Sequence, residues 1–363
     1  MAEALKDQMF QKSFYENLCD KIMEKYSAFD KNKFFKILYD HEWDDKALKE
    51  RMSHSSRVLQ QTLPEDYFKA LDILQSIAHH FNGFDAMIFP DFVEQFGQDH
   101  YEVSVSALEL FTQYSSAEFA IRPFIVQRPG ETMKRMLAWS MHENHHVRRL
   151  SSEGCRPRLP WAMALPEFKK DPKLILPILE NLKSDPSEYV RKSVANNLND
   201  ITKDNPDIVL EMLNDWNKKP SKETKWIIKH ALRGLLKAGN EKALSILGYN
   251  STDVKIKDLK VSPKKIKLGE QIDISFEVTN QSTEKQSLMI DYIIHFTKAN
   301  GKTAPKVFKL NTTTLEPKGN TQINKTHPIK EITTRKYYSG ENFVEIQVNG
   351  KVLGKSNFEL VVK

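Results

Sequence analysis

The chain has 363 residues, of which 40% are hydrophobic and 28% are charged, and its formal net charge is +6. These values are typical of a soluble globular protein with room for two or three domains, and no apolar run approaches the roughly 18 residues of a membrane helix. Two cysteines, Cys19 and Cys155, are too few for a disulfide framework or a four-cysteine zinc site. Because the N-terminal stretch MAEALKDQMFQKSF lacks the apolar core of a secretory signal, we expect a cytoplasmic protein without a membrane partner.

Residues 1–97 are predicted to form an all-helical region. Apolar residues recur there at spacings of three and four, as in FYENLCDKIMEKY and KALKERMSHSSRVLQQ, which is the period of an amphipathic helix. Aromatic residues are frequent and helix breakers are few, so we expect this region to pack as a cap on the helices that follow. No residue pattern in it indicates chemistry of its own.

Residues 98–247 are predicted to form helical repeats. The segments NHHVRRLSSEG, SEYVRKSVANNL and TKWIIKHALRGLL align with one another, with 43 residues from Val147 to Val190 and 37 from Val190 to Ile227. Periods near forty with two helices per unit are typical of HEAT-type solenoids. In the first unit we predict a helix over residues 130–143, then Asn144 as turn and N-cap, then a second helix.

The same unit contains the pattern H-E-x-x-H at His142, Glu143 and His146. On a single helix, two such histidines bind zinc and the glutamate activates water, as in metalloproteases. Because Asn144 is predicted to separate two helices, the histidines should not face one metal ion. We therefore predict no metal site, and a zinc protease remains the weaker alternative, which would require stoichiometric zinc.

After residues 248–253, predicted to be a linker, the pattern changes to the alternation of β-strands. Seven segments show it, separated by turn sequences such as SPKK, ANGK and VNGK: DVKIKDLKV, QIDISFEVT, SLMIDYIIHF, APKVFKL, TQINKTH, NFVEIQV and NFELVVK. Seven strands in about 110 residues predict an immunoglobulin-like sandwich over residues 254–363, without the cysteine pair of antibody domains. The predicted fold is thus an all-α HEAT-like solenoid followed by an all-β immunoglobulin-like sandwich.

The positive charge lies mainly in the sandwich. Residues 255–363 contain 19 Lys and Arg against 11 Asp and Glu, so this part carries +8 and the preceding residues carry −2. A basic domain on a nearly neutral body indicates a polyanionic partner. A solvated surface with an accidental excess of charge is the alternative.

Three segments, SSAEFAIRPFI (115–125), LAWSMHENHHVRRLSSEGCRPRLPW (137–161) and VRKSVANNLNDITKDNP (190–206), together resemble one family. It is the AlkC branch of the AlkC/AlkD DNA alkylation-repair glycosylases, which are HEAT-like solenoids; a subset of the branch carries a C-terminal immunoglobulin-like domain. The resemblance implies a hydrolase that removes cationic alkylated bases, such as 3-methyladenine and 3-methylcytosine, from double-stranded DNA and leaves an abasic site. It also implies that no metal or organic cofactor is needed.

This chemistry needs particular side chains. A cationic base already leaves easily, so the enzyme must stabilise the oxocarbenium character of the sugar and direct a water to it, which carboxylates and an aromatic face can do. The candidates for these catalytic roles are Glu118, Glu153 and Trp161.

Each candidate has a structural alternative. Glu118 could complete a capping box with Ser115, and Trp161 could be a packing residue. Glu153 precedes Gly154 near a helix C-terminus, where a negative charge is unfavourable, and is therefore the hardest of the three to explain as structural.

Cations should flank these carboxylates to hold the phosphate backbone, and a solenoid offers its concave face to a duplex. The predicted DNA-binding residues are Arg149, Arg156, Arg158, Lys192, Asn196, Asn197, Lys229 and Arg233. Arg148 and Arg191 occupy equivalent repeat positions and are predicted to make structural hydrogen bonds or ion pairs from repeat to repeat, and Cys155 is interpreted as a tolerated small residue. We expect a monomer. A non-catalytic HEAT scaffold that binds DNA or protein is the alternative function.

Overall fold

The structure, a computed structural model, describes residues 8–362. Part of the N-terminal stretch in which we predict no secretory signal, residues 1–7, lies outside the described residues. The chain separates into two compact units. The first comprises the residues up to Val209 together with Lys219–Ala231, and the second comprises Leu210–Lys218 and Leu232–Lys363.

The α-helices are numbered in chain order. Those up to the first repeat are α1 (Lys12–Lys25), α2 (Lys31–Leu38), α3 (Leu48–Thr62), α4 (Tyr67–Ile77), α5 (Ile88–Phe96), α6 (Tyr101–Phe111), α7 (Arg122–Gln127), α8 (Pro129–Trp139) and α9 (His145–Glu153). Those after it are α10 (Pro166–Lys170), α11 (Leu176–Leu182), α12 (Glu188–Ile201), α13 (Pro206–Trp216), α14 (Lys222–Ala231), α15 (Arg233–Lys237) and α16 (Glu241–Ile246). Two 3-10 turns, Ala78–His80 and Asp85–Met87, lie between α4 and α5. Within the described residues, no helix is both long and apolar enough to cross a bilayer.

The N-terminal helices pack around an aromatic core, which confirms the all-helical prediction. Tyr15 on α1 is fully buried, and its ring lies 6.0 Å from that of Phe34 and 5.9 Å from that of Trp43, measured between centroids. The Tyr15 hydroxyl is 2.6 Å from Ser55 Oγ on α3, so its polar end is satisfied inside the core.

The predicted repeat turn is confirmed at Asn144. Helix α8 ends at Trp139, earlier than predicted, and α9 begins at His145, where the Asn144 side chain accepts a hydrogen bond from His146 N at 2.8 Å. His142 lies in the turn between these helices, and its Nδ1 accepts from Asn144 N at 2.9 Å. The H-E-x-x-H pattern is therefore not on one helix.

The three aligned segments form helices that pack side by side, with α9 against α12 and α12 against α14. Arg148 Nε donates to Asp185 Oδ2 at 2.6 Å, and Arg191 Nη1 donates to the carbonyls of Asp185 and Pro186 at 2.9 and 2.7 Å. The predicted repeat-to-repeat ion pair is present at Arg148, whereas these bonds of Arg191 stay within its own repeat, at the turn that precedes α12.

The sandwich has one strand more than predicted. Its strands are β1 (Val254–Ser262), β2 (Lys265–Lys267), β3 (Gln271–Asn280), β4 (Gln286–Thr297), β5 (Thr303–Leu315), β6 (Asn320–Pro328), β7 (Gly340–Val348) and β8 (Lys351–Val361). They form one sheet in the order β1-β3-β6 and another in the order β2-β8-β7-β4-β5. All seven predicted strands are present. The additional strand, β2, has three residues and pairs in parallel with β8, which is too short a run for alternation to reveal.

The helices α15 and α16 belong to the same compact unit as the sandwich. A Cβ on Gly239 would lie 2.9 Å from Gly350 O, so the two backbones touch where the β7–β8 hairpin meets these helices. The predicted linker is hydrogen bonded on both sides, because Tyr249 N donates to Leu244 O at 2.9 Å and Asn349 Nδ2 donates to Asn250 O at 2.8 Å. The unit thus begins upstream of the predicted boundary at residue 254.

Candidate active site

A buried arginine shapes the loop that follows α9. Arg122, at the start of α7, has no exposed surface and donates to Gly154 O at 2.7 Å, Arg156 O at 2.9 Å and Met163 O at 2.7 Å. Burial lowers the pKa of Arg122 to about 10, so it remains a cation whose charge faces carbonyl dipoles. These three bonds fix the backbone on both sides of residues 157–162.

The glycine that ends the motif S-S-E-G is required by close packing. A Cβ at Gly154 would lie 2.6 Å from Ile121 Cγ2 and 3.1 Å from Leu150 O. Only glycine lets the end of α9 approach the segment before α7 this closely. That approach brings Glu153, one residue earlier, near the segment that carries Glu118.

Glu118 and Glu153 are neighbours across one guanidinium group. Glu118 is 8% exposed and accepts from Arg149 Nη1 at 2.9 Å and from Arg149 Nη2 at 3.2 Å. Arg149 Nη2 also lies 3.6 Å from Glu153 Oε1. Two of the three predicted catalytic residues are thus brought together, although 35 positions separate them in the sequence.

The capping-box alternative for Glu118 does not fit the hydrogen bonds. Ser115 Oγ donates to Gly83 O at 2.7 Å, and the Glu118 carboxylate accepts from Ser116 Oγ as well as from Arg149. A capping box would instead join the Glu118 carboxylate to the Ser115 backbone N–H.

A second arginine and a third carboxylate extend the network. Arg156 Nη1 donates to Glu153 Oε1 at 2.7 Å, and Arg156 Nε donates to Asp200 Oδ2 on α12 at 2.9 Å. Burial alone would raise the pKa of Glu153, but Arg149 and Arg156 outweigh it and hold this pKa below its ordinary value of 4.5. Glu153 is therefore an ionised carboxylate at neutral pH.

An aromatic recess opens beside Glu118. It has a volume of about 450 Å³ and is lined, besides Glu118, Arg149 and other residues, by the rings of Phe84, Tyr114, Phe119, Trp161 and Tyr189. Trp161 is 64% exposed, which does not fit a packing residue, and the Arg149 guanidinium lies 4.8 Å from the centroid of the Tyr189 ring. A carboxylate among electron-rich rings can stabilise a cation that enters the recess.

The structure separates the predicted DNA-binding residues by exposure. Arg149 and Arg156 are largely buried and are engaged in the carboxylate network, so they do not offer free guanidinium forks to phosphates. Arg158 is more exposed and pairs with Asp204 at 2.7 Å. Lys192 is exposed and pairs with Glu188 at 2.8 Å.

The remaining four DNA-binding candidates lie on different helices and differ in how exposed they are. Lys229 is exposed on α14, Asn196 is half-buried on α12, and Arg233 begins α15 in the second compact unit. Asn197 has no exposed surface, and its amide donates to Ser152 O at 2.7 Å. The expectation that Asn197 contacts DNA is corrected, because its donor is used inside the helix packing.

Cys155 is fully buried, and burial raises the pKa of its thiol to about 12. It is therefore a neutral thiol at physiological pH, in agreement with its interpretation as a small packing residue. Within residues 8–362, no group of three or more His, Cys, Asp or Glu side chains is arranged to hold a metal ion.

Sequence reasoning missed Arg122, Tyr189 and Asp200. Arg122 lies within a segment that carries the family resemblance, but a single arginine before a proline has no pattern of its own. Tyr189 and Asp200 lie about forty residues beyond the carboxylates they accompany, so only the repeat alignment, which stacks α12 on α9, could have suggested them.

Two family models match the chain. One, described as "DNA alkylation repair enzyme", matches residues 98–235, and the other, described as "Uncharacterised protein YhaZ, C-terminal Ig-like domain", matches residues 255–362. Protein YhaZ of Bacillus subtilis (strain 168) is 42% identical over 354 residues, which are 97% of this chain and 98% of that protein. A solved structure of the alkylpurine DNA glycosylase AlkC of Pseudomonas fluorescens, bound to DNA containing an abasic site analog, is 41% identical. It superposes with a TM-score of 0.94 and covers 99% of this chain and 100% of that chain.

Proposed function

The chain belongs to the DNA alkylation repair enzymes, and on this premise we propose that it is a DNA glycosylase for cationic alkylated bases. Its substrates are double-stranded DNA carrying lesions such as 3-methyladenine and 3-methylcytosine. It hydrolyses the N-glycosidic bond and leaves an abasic site. The similarity to the AlkC glycosylase over nearly the whole length of both chains supports this reaction class.

The observation that carries the proposal is the pair of carboxylates joined by Arg149, of which Glu118 lines the aromatic recess. Glu118, Glu153 and Asp200 supply three negative charges, while Arg149 and Arg156 supply two positive charges. Lys203 Nζ lies 3.1 Å from Asp200 Oδ1 and adds a third positive charge at that end of the network, but neither residue lines the recess, whereas Glu118 does. A carboxylate held in place where little water reaches it stabilises the positive charge that develops on the sugar as the base departs.

The proposed mechanism needs no proton donor for the leaving base. The alkylated base already carries a positive charge and departs as a neutral molecule when the C1′–N bond breaks. Glu118, which lines the recess, stabilises the oxocarbenium character at C1′, and Trp161 offers its exposed ring to the same cation. Glu153, held ionised by its two arginines, orients the attacking water and accepts its proton.

We propose that the exposed cations, and not the buried ones, contact the DNA backbone. Arg158, Lys192 and Lys229 keep their proposed role as phosphate contacts, because their side chains reach solvent. Arg149 and Arg156 become positioning residues for the carboxylates. The basic surface of the sandwich is proposed as a further DNA contact, and the chain is proposed to act as a cytoplasmic monomer.

The test is release of free base by the purified full chain. Duplex DNA containing 3-methyladenine or 3-methylcytosine is incubated with the protein in the presence of EDTA, and free bases and abasic sites are both quantified. We expect equal amounts of the two products and no loss of activity with EDTA. DNA binding without any released base would favour the non-catalytic scaffold, and activity that EDTA abolishes would favour a metal-dependent reaction.

A further inference from the structure

The backbone of Trp161 is held in a conformation that a bulky residue rarely adopts. Its φ is 64°, in the left-handed region, where a tryptophan is strained. Such a conformation persists only where neighbouring groups determine it. Contacts that fix the Trp161 peptide therefore also fix the direction in which its ring projects.

One of these contacts comes from the N-terminal helical region, in which the sequence indicates no chemistry. Lys49, in the first turn of α3, donates a hydrogen bond from Nζ to Trp161 O at 2.7 Å. This bond joins residues 112 positions apart. It acts on the loop whose two ends are held by Arg122.

The same ammonium group contacts a second wall of the recess. Lys49 Nζ lies 4.7 Å from the centroid of the Phe119 ring, within the range of a cation–π interaction. Phe119 directly follows Glu118, and both line the recess together with Trp161. Lys49 thus connects the peptide that carries the tryptophan to the segment that carries a carboxylate.

We propose that Lys49 is a positioning residue for base excision, which acts by holding Trp161 in its strained conformation opposite Glu118. This inference rests on the proposed function, because it assumes that the Trp161 ring contacts the reacting sugar. Lys49 itself does not touch the substrate. Its effect must therefore appear in the chemical step, must require the Trp161 indole, and must be reproduced by another cation of similar reach.

The test measures excision of 3-methyladenine under single-turnover conditions with saturating protein. We expect Lys49→Met to lower the rate constant about tenfold, because small displacements of a positioned group cost this much or more. Lys49→Arg, which keeps a donor and a charge, should stay within about threefold of the wild-type chain. The affinity for duplex containing an abasic-site analogue should change less than about twofold, since no phosphate contact is lost.

A matched control distinguishes positioning from a general loss of stability. Lys33 on α2 also donates to a distant backbone carbonyl, that of Gln61 at 2.9 Å, and lines no part of the recess. Lys33→Met should therefore excise at the wild-type rate. Thermal unfolding is measured for every variant, and Lys49→Gln, whose shorter side chain does not span the gap, provides a second substitution if Lys49→Met unfolds.

A double-variant comparison tests whether Lys49 acts through Trp161. In the Trp161→Ala background, Lys49→Met should lower the rate constant by less than about twofold, because no ring is left for Lys49 to position. The inference is overturned if Lys49→Met excises at the wild-type rate, if its loss is equally large in both backgrounds, or if only DNA affinity falls. If the wild-type chain releases no base at all, the proposed function fails and this inference fails with it.

Discussion

Arg149 lies between two carboxylates that would otherwise repel each other. Its Nη atoms reach Glu118 at 2.9 and 3.2 Å and Glu153 at 3.6 Å. Burial disfavours its charge, yet Glu118 and Glu153 outweigh this and raise the pKa of Arg149 above its ordinary value. A guanidinium can bridge two carboxylates in this way because its donors form a rigid fork, which the ammonium group of a lysine lacks.

Removing this bridge should change the pH dependence of excision. In Arg149→Met, Glu153 stays buried near Glu118 but has one cation fewer beside it. The pKa of Glu153 therefore rises, and a smaller fraction of Glu153 is ionised at neutral pH. We expect the acid limb of the pH–rate profile to move to higher pH and the rate at pH 7 to fall at least about tenfold. The profile of Arg149→Lys should lie between those of the wild-type chain and Arg149→Met. The control is Arg135→Met, which removes an exposed ion pair with Glu102 and Glu109 and should leave the profile unchanged. An unshifted profile in Arg149→Met would contradict the role given to Arg149.

At the residue scale, the sequence identifies the two carboxylates that meet at Arg149 better than it predicts their partners. Glu153 could be singled out because a negative charge at a helix C-terminus is locally unfavourable, an argument that needs no tertiary structure. The burial of Arg149, Arg156 and Asn197 could not be predicted, since charged and amide side chains are exposed by default. Their depth follows from the stacking of α9 on α12.

At the element scale, α5 carries two acidic residues one helical turn apart, the buried Asp91 and the half-buried Glu94. Burial and the charge of Asp91 raise the pKa of Glu94 to about 7, although Lys49 and Arg122 oppose the shift. Asp91 is itself buried and accepts from Ser53 Oγ at 3.3 Å and from Gln95. Two acids on one helix therefore favour a protonated Glu94.

This pair should make the stability of the first compact unit depend on pH. The folded chain holds the Glu94 proton more tightly than the unfolded chain, whose pKa is near 4.5, so stability falls as the pH rises from about 4.5 to about 7. Burial raises the pKa of Asp91 as well, so Glu94→Gln should reduce this dependence without abolishing it, and should raise the free energy of unfolding at pH 8 by up to about 3 kcal/mol. Denaturant unfolding at pH 5 and pH 8 measures the free energy of unfolding of each variant, and Glu131→Gln, on the exposed face of α8, is the control. Equal effects at both pH values would show that Glu94 does not titrate in this range.

Elements with a clear period were predicted, and elements that depend on contacts were not. The alternation of the seven long strands and the Asn144 cap are local signals, and both are present. Strand β2 exists because Lys265–Lys267 pairs with β8 on the side that β7 leaves open. The paired residues are 94 positions apart, as in Lys265 and Glu359, and three residues are too few to predict such a pairing from the sequence. Likewise, α8 ends at Trp139 because the chain turns there toward α9.

At the scale of the whole molecule, α15, α16 and most of α13 belong to the same compact unit as the sandwich. The VNGK turn is an Asn-Gly hairpin with φ of 43° at Asn349 and 84° at Gly350, the pattern of a type I′ turn. A Cβ at Gly350 would lie 2.5 Å from Gly239 O and 2.9 Å from Leu244 Cδ1. The hairpin tip is thus both a turn and the contact surface for the segment joining α15 and α16.

Two glycine substitutions separate these roles. Gly350→Ala should combine the cost of a left-handed alanine, about 1 kcal/mol, with that of displacing α15 and α16, about 1–3 kcal/mol. Gly301→Ala has a similar φ of 74° but meets no atom within 4 Å, so only the first cost applies. We expect Gly350→Ala to lower the midpoint of thermal unfolding of the second unit clearly more than Gly301→Ala. Equal midpoints would mean that the helices do not depend on this contact.

The division into an all-α and an all-β part could be predicted from the change of period near residue 249. The position of the compact boundary could not, because α15 and α16 have the helical period of the repeats and yet pack with the sandwich. Periodicity reports which face of an element is apolar, not which neighbour covers that face.

The central claim is that Glu118 and Glu153 together stabilise the sugar from which a cationic base departs. The most direct measurement is the single-turnover release of 3-methyladenine from duplex DNA by the double variant Glu118→Gln and Glu153→Gln, corrected for spontaneous loss. We predict a rate constant at least about 100-fold below that of the wild-type chain, with the affinity for abasic-analogue DNA nearly unchanged. Release at the wild-type rate by a folded, DNA-binding double variant would contradict the claim.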